Sequence, residues 1–150
     1  MKFLADEMLG KLAKWLRIMG CDVVYKNKVS ASEIIDCCRK EGRILLTRDT
    51  RLLAGNKDIA SLLISSDHFR EQIKQVLKDF AIDPRPRALS RCLRCNQILV
   101  AEDKQAAKDL VPPYVFQTQE EFWRCPSCQR LYWPGTHHQR MLDELMDMVA

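Results

Sequence analysis

The chain has 150 residues, 47% hydrophobic and 29% charged, enough apolar material for one ordinary domain or a smaller domain with an appendage. No apolar run approaches the roughly 18 residues a membrane span needs, and Asp6 interrupts the N-terminal apolar stretch where a signal peptide would continue, so a cytoplasmic protein is expected. The formal net charge is +4, with the excess of Lys and Arg confined to residues 1–89; this favours a polyanionic partner there, the alternative being a solvated basic surface.

Lys2 to Ala5 reads as a short strand with Asp6 at its end. From Glu7 to Met19, Leu9, Leu12, Ala13, Leu16 and Met19 recur at helical spacing, while Lys11, Lys14 and Arg17 share the opposite face. Gly10 costs this helix about 1 kcal/mol relative to Ala, which close packing against a sheet would explain. Val23 to Tyr25 reads as a second strand. Ser30 opens the next helix, with Glu33 as its capping-box partner, and Gly42 closes it.

Arg43-Ile44-Leu45-Leu46-Thr47-Arg48-Asp49 is a short apolar run ending in Thr-Arg-Asp, the pattern of a buried parallel strand with a carboxylate at its carboxyl end. A short helix or loop spans Thr50 to Asp58. Ser61 to Ser65 is another buried-strand candidate, followed by Asp67, and Phe69 to Phe80 is helical through Ile73, Val76, Leu77 and Phe80. The order β-α-β-α-β-(α)-β-α predicts an α/β fold with a parallel sheet and helices on both sides.

Composition changes at residues 84–90, where two prolines suggest a semi-extended linker. The expected division is therefore an α/β domain at 1–83, the linker, and a unit at 91–150. That last unit carries Cys92-x-x-Cys95, Cys125-x-x-Cys128 and a final helix from about His138 to Met148. Two CxxC pairs place four thiolates in tetrahedral reach of one Zn²⁺, which predicts a small zinc ribbon. The 29 residues between the pairs require an extra strand or loop. Cys21, Cys37 and Cys38 lie in or beside apolar segments and read as small hydrophobes.

Asp6, Asp49 and Asp67 each follow a strand candidate at its carboxyl end. In a parallel sheet those ends share one edge, so the three carboxylates are candidates for a site of hard oxygen ligands suited to Mg²⁺ or Mn²⁺. The competing explanation is that each Asp N-caps the following helix. Glu33 and Asp36 share a helix face, and Glu33 is the favoured fourth acid. Lys11, Lys14, Arg17, Arg48 and Arg51 are candidate phosphate contacts, with surface solubility as the alternative for each. Trp15 either stacks on a base or packs against the sheet. His137 either orients backbone or touches a ligand.

Leu4 to Arg17, Arg43 to Asp49, Cys92-Leu93-Arg94-Cys95-Asn96, the Cys125 to Cys128 knuckle and Tyr132-Trp133-Pro134-Gly135-Thr136-His137 together resemble the signatures of the Mut-seven C-terminal (Mut7-C) RNase domain family. The resemblance covers nearly the whole chain. It implies a PIN-like nuclease fold, a three-layer sandwich with a mostly parallel sheet, followed by a zinc ribbon. It also implies metal-dependent ribonuclease activity, with Asp6 and Asp49 as ligands of Mg²⁺ or Mn²⁺ and a 5′-phosphate and 3′-hydroxyl as products; the expected partner is RNA that is single-stranded or has single-stranded parts. Related PIN-like sequences often carry an acid near position 31, where this chain has Ala31, leaving Glu33 or Asp36 as substitutes. Two readings from other classes stand beside this one: a non-catalytic RNA-binding zinc-ribbon adaptor, and a receiver-like domain phosphorylated on Asp49.

Overall fold

The computed structural model describes residues 1–150. Its first sheet contains β1 (Lys2–Ala5), β2 (Asp22–Tyr25), β3 (Ile44–Thr47) and β4 (Ser61–Leu63), all parallel, in the order β2-β1-β3-β4. β1 and β3 are interior and enclosed on both faces. Phe3, Ala5 and Leu46 join one core cluster, whereas Leu4 and Leu45 join another. Burial on both faces is why these strands read as continuous apolar runs. β4 departs from the expected buried strand: it is the sheet edge, with Ser61 and Leu63 exposed, and full burial begins at Ile64 just beyond it.

Helices cover both faces, giving the three-layer α/β arrangement. On one side lie α1 (Gly10–Ile18), entered through a single 3₁₀ turn at Glu7–Leu9, and α4 (Phe69–Asp79). On the other lie α2 (Ala31–Glu41) and the short α3 (Thr50–Ala54). Ser30 caps α2 by accepting from the Glu33 N–H at 3.2 Å, and Gly42, in the left-handed region at φ 65°, ends it. Trp15 is buried in the larger core, so of its two readings the packing one holds. A Cβ at Gly10 would stand 3.4 Å from Tyr25 Oη, consistent with helix-to-sheet packing as the reason for glycine there.

The remainder forms a second, antiparallel sheet, β5 (Val100–Glu102), β6 (Phe122–Arg124) and β7 (Leu131–Tyr132), in the order β5-β6-β7. The long interval between the cysteine pairs holds β5, β6 and two short helices, α5 (Lys104–Ala107) and α6 (Pro113–Thr118). Ala107, Val111, Val115 and Phe122 form its own small core.

This second unit is docked firmly on the first. The proline-containing segment does not behave as a free spacer: Leu89 N–H donates to Ile18 O at 2.6 Å, and Arg87 packs against Gly20. A Cβ on Gly20 would meet Arg87 O at 2.3 Å, and Gly20 also has φ 87°, so only glycine fits. The final helix, α7 (Thr136–Val149), crosses back. Its Leu145 and Met148 belong to the same core as Phe3, Leu9 and Ile73, and Arg70 Nη1 reaches Asp147 at 3.3 Å. An apolar stripe at Met141, Leu142, Leu145 and Met148 shows that the helix has a buried face, but not which core receives it.

Candidate active site and metal centre

At the carboxyl end of the parallel sheet, β1, β3 and the turn after β2 deliver Asp6, Asp49, Lys26 and Lys28 into one groove of about 160 Å³. Ala31, Ile34 and Leu52 form its apolar wall. The two acids are joined through Thr47, the last residue of β3. Its hydroxyl donates to Asp6 Oδ2 and accepts from the Asp49 backbone N–H at 3.0 Å. Asp6 Oδ1 accepts from the Met8 N–H at 3.1 Å.

Asp6 is only 5% exposed, yet it forms no ion pair with any basic side chain. A buried carboxylate held by neutral donors alone is costly, and a cation in the groove would relieve that cost. Asp49 is more open. The Arg51 guanidinium, 3.2 Å from Asp49 Oδ1, holds its carboxyl below the ordinary value, assisted by the Arg51 backbone N–H. Asp6 also caps the 3₁₀ turn and Asp49 caps α3. The capping explanation is thus true of both, and it leaves unexplained why they share a groove.

The other expected acids lie elsewhere. Asp67 is exposed, caps nothing and does not line the groove; β4 is displaced to the edge, and α4 is capped at His68 instead. Glu33 is exposed and outside the groove, and so is Asp36 on the next turn's flank. Of the expected acids only Asp6 and Asp49 line the groove, and Glu7, exposed next to Asp6, lines it as well. Mg²⁺ is commonly held by one or two carboxylates with water and substrate phosphate completing the shell, and the Asp6–Asp49 pair fits that pattern.

Among the expected phosphate contacts, Lys11 and Lys14 are exposed on α1, with Lys11 Nζ 5.1 Å from the Phe69 ring centroid. Arg51 is exposed beside Asp49. Arg48 Nη1 is buried without a hydrogen-bond partner. Arg17 plays a structural part instead. Its Nε donates to Val23 O at 2.9 Å and its Nη1 to Leu93 O at 3.1 Å, tying α1 to β2 and to the first cysteine knuckle. Lys26 and Lys28, which were not among the expected contacts, line the groove. The signal was their place just past the end of β2, next to β1 in the sheet, which requires knowing the strand order.

At the opposite, amino end of β2 stands the cysteine cluster. The sulfurs of Cys92, Cys95, Cys125 and Cys128 all lie within 4.8 Å of one another. Tetrahedral zinc with bonds of about 2.3 Å to sulfur has sulfur–sulfur edges of about 3.8 Å, and Cys92 Sγ and Cys128 Sγ are 3.8 Å apart. The two knuckles repeat one geometry. Cys95 and Cys128 N–H point to the sulfurs of Cys92 and Cys125 at 3.3 and 3.5 Å, and Asn96 and Gln129 follow at φ 65°. This donor set fits a tetrahedral ion such as Zn²⁺.

Without a cation the thiols diverge. Burial alone would raise Cys92, but donation from Tyr132 Oη, 3.1 Å away, and from the knuckle N–H groups brings it down to about 6. Cys95, hydrogen-bonded to Cys128, is pushed up to about 12. Close thiolates repel, and a bound dication removes the conflict. Tyr132 also accepts from Leu93 N–H at 3.3 Å, a supporting contact that no spacing rule reveals. Cys21 and Cys38 are buried, consistent with a packing role.

No helix is long and apolar enough to cross a membrane. No curated protein and no solved structure matches the chain significantly. The family model described as Mut7-C RNAse domain matches residues 1–145, which spans both the acidic groove and the cysteine cluster, and the chain belongs to that family.

Proposed function

We propose that this chain is a metal-dependent ribonuclease whose reaction centre is the groove between Asp6 and Asp49. The observation that carries the reading is the pairing of a buried carboxylate lacking any ionic partner with a second acid and two lysines in one groove, in a chain of an RNase domain family. Asp6 and Asp49 hold Mg²⁺ or Mn²⁺. Such an ion supplies activation of water and neutralisation of phosphate charge.

The chain's own residues do the rest. Thr47 fixes the rotamer of Asp6 and ties it to the backbone of Asp49, so both carboxylates stay aimed into the groove. Lys26 and Lys28 receive the scissile phosphate from the side opposite Asp49, and Arg51 leaves its partner to follow the adjacent phosphate. Water adds across the phosphorus–O3′ bond, leaving a 5′-phosphate and a 3′-hydroxyl. The cysteine cluster holds a structural zinc ion. The substrate is RNA with a single-stranded segment; its being RNA is supported by membership of an RNase domain family.

Purified chain should cleave a 5′-labelled single-stranded RNA only when Mg²⁺ or Mn²⁺ is supplied. Asp6→Asn and Asp49→Asn should each lower the rate by about 100-fold or more, since metal stabilisation of the transition state is worth several kcal/mol. Undiminished cleavage by both variants would remove the assignment. Tight RNA binding with no cleavage under any divalent ion would favour the adaptor reading instead.

A further inference from the structure

The second unit carries a cavity of about 350 Å³ between its sheet and the start of α7, far from the acidic groove in chain terms and unused by the chemistry above. Tyr114, Trp123 and Trp133 supply aromatic surface to it, and Arg130 and His137 supply donors, whereas Arg91 at its wall donates to Gly20 O at 3.0 Å and Asn96 O at 2.7 Å. No acid lines it, although acids slightly outnumber Lys and Arg across residues 90–150. The local charge therefore runs against that of the unit that bears it.

The side chains are available. Tyr114 is 69% exposed, and its hydroxyl makes no hydrogen bond. Arg130, just before β7, is exposed and has neither an ion pair nor a side-chain hydrogen bond, in contrast to Arg124 in β6, which is bound to Glu102 at 2.9 Å. Trp123 is half-buried at the wall, and Trp133 is braced against Phe122 at 6.3 Å between ring centroids. Of the chain's three tryptophans only Trp15 is committed to the main core.

We infer that this cavity is a second nucleic-acid site, in which unpaired RNA bases stack on Tyr114 and Trp123 while Arg130 contacts the adjoining phosphate. Flat aromatic faces beside one unpaired guanidinium suit unstacked bases, and duplex RNA, whose bases are stacked internally, offers them nothing equivalent. The occupant is single-stranded RNA because charge complementarity and aromatic surface coincide; an apolar peptide would leave Arg130 and His137 without partners. This inference rests on the reading that the substrate is RNA, but not on where or whether it is cut.

The second unit docks at the amino end of β2, through Asn96 and Asp22, whereas Lys26 and the acidic groove lie at its carboxyl end. One RNA engaging both sites must cross at least the length of that strand, roughly 13 Å for four residues. The stacking site then acts as an anchor that favours longer substrates.

The test is fluorescence anisotropy with a labelled 12-nucleotide oligouridylate and the zinc-loaded full chain, without Mg²⁺ or Mn²⁺, so that binding is read apart from cleavage. Tyr114→Ala should weaken binding on the order of tenfold. Arg130→Ala should weaken it several-fold and reduce the dependence of log Kd on log salt by about one. Both positions are exposed, so folding is preserved, and quenching of tryptophan fluorescence by the RNA gives a second readout. In cleavage assays the Tyr114→Ala defect should appear in KM with kcat unchanged. Wild-type affinity in both Tyr114→Ala and Arg130→Ala, or equal competition by a 12-base-pair RNA duplex, would overturn the inference. Binding that depends on Tyr114 and Arg130 in a chain that never cleaves RNA would support it while defeating the ribonuclease reading.

Discussion

Asn96, one residue past the first cysteine pair, is hydrogen-bonded to Asp22 at the start of β2: its Nδ2 donates to Asp22 Oδ1 at 2.7 Å. Its own Oδ1 accepts from the Val23 N–H at 3.0 Å, so the metal knuckle closes the open edge of the parallel sheet. Arg43 reaches the same Asp22 oxygen at 2.8 Å and also donates to Phe3 O at 3.0 Å. One network thus joins the cysteine cluster, the edge strand and the strand carrying Asp6. Asn96→Ala leaves the Val23 N–H unpaired in a buried place, at a cost of about 1–3 kcal/mol. Thermal unfolding should fall by about 2–4 °C for each kcal/mol lost, and an unchanged Tm would show that the network is idle.

Acid should reveal the same network. Burial raises the Asp22 carboxyl, but hydrogen bonds from Arg43 and Asn96 outweigh it and leave the group below its ordinary value. A depressed folded-state value means stability that is present above the unfolded value, about 3.9, and lost as pH falls through the folded one. Asp22→Asn should therefore be less stable than the wild type near neutrality, with the gap closing below about pH 4. Parallel pH–stability curves for the two proteins would contradict this.

Loss of the metal should be felt in the first unit as well. The purified chain is expected to carry about one zinc ion, released by thiol modification and measured with a colorimetric chelator. Because Asn96 is positioned by the knuckle, Cys92→Ser should accelerate amide hydrogen exchange at Val23 and Val24 along with the local loss at Cys95. Acceleration restricted to residues 91–150 would mean that the two units are independent.

Thr47 offers a probe that leaves both acids in place. Valine has nearly the same shape but removes the hydroxyl, stranding one oxygen of buried Asp6 and the Asp49 N–H. Thr47→Val should cost about 1–3 kcal/mol in stability. It should also raise the Mn²⁺ concentration needed for half-maximal cleavage by about 10- to 100-fold, the usual effect of losing a group that orients metal ligands. A stability loss with unchanged Mn²⁺ demand would make Thr47 structural only.

Much of this was legible in the chain. Ile44 to Asp49 announced an interior strand because burial on both faces removes any alternation, and its acid does stand at the sheet's carboxyl end. The cysteine spacing likewise specified a tetrahedral cluster, since two knuckles leave four sulfurs few other arrangements. What the sequence could not place depended on tertiary structure. Asp67 follows a strand as Asp6 and Asp49 do, but that strand is the sheet edge, and nothing local records strand order. Arg17 shares a helical stripe with Lys11 and Lys14, yet it lies where the knuckle docks and its donors go to carbonyls. The final helix showed its apolar face plainly, but the core that receives Leu145 and Met148 was built by residues more than sixty positions away.

The central claim is that Asp6 and Asp49 together hold the ion that cleavage requires. Crystals soaked in Mn²⁺ and measured at the manganese absorption edge test it directly. The expected result is an anomalous peak in the groove bounded by Asp6, Asp49, Lys26 and Lys28, with an oxygen of each acid coordinated and with no peak in Asp6→Asn crystals. A peak coordinated by other residues, or cleavage-competent crystals with that groove empty, would contradict it.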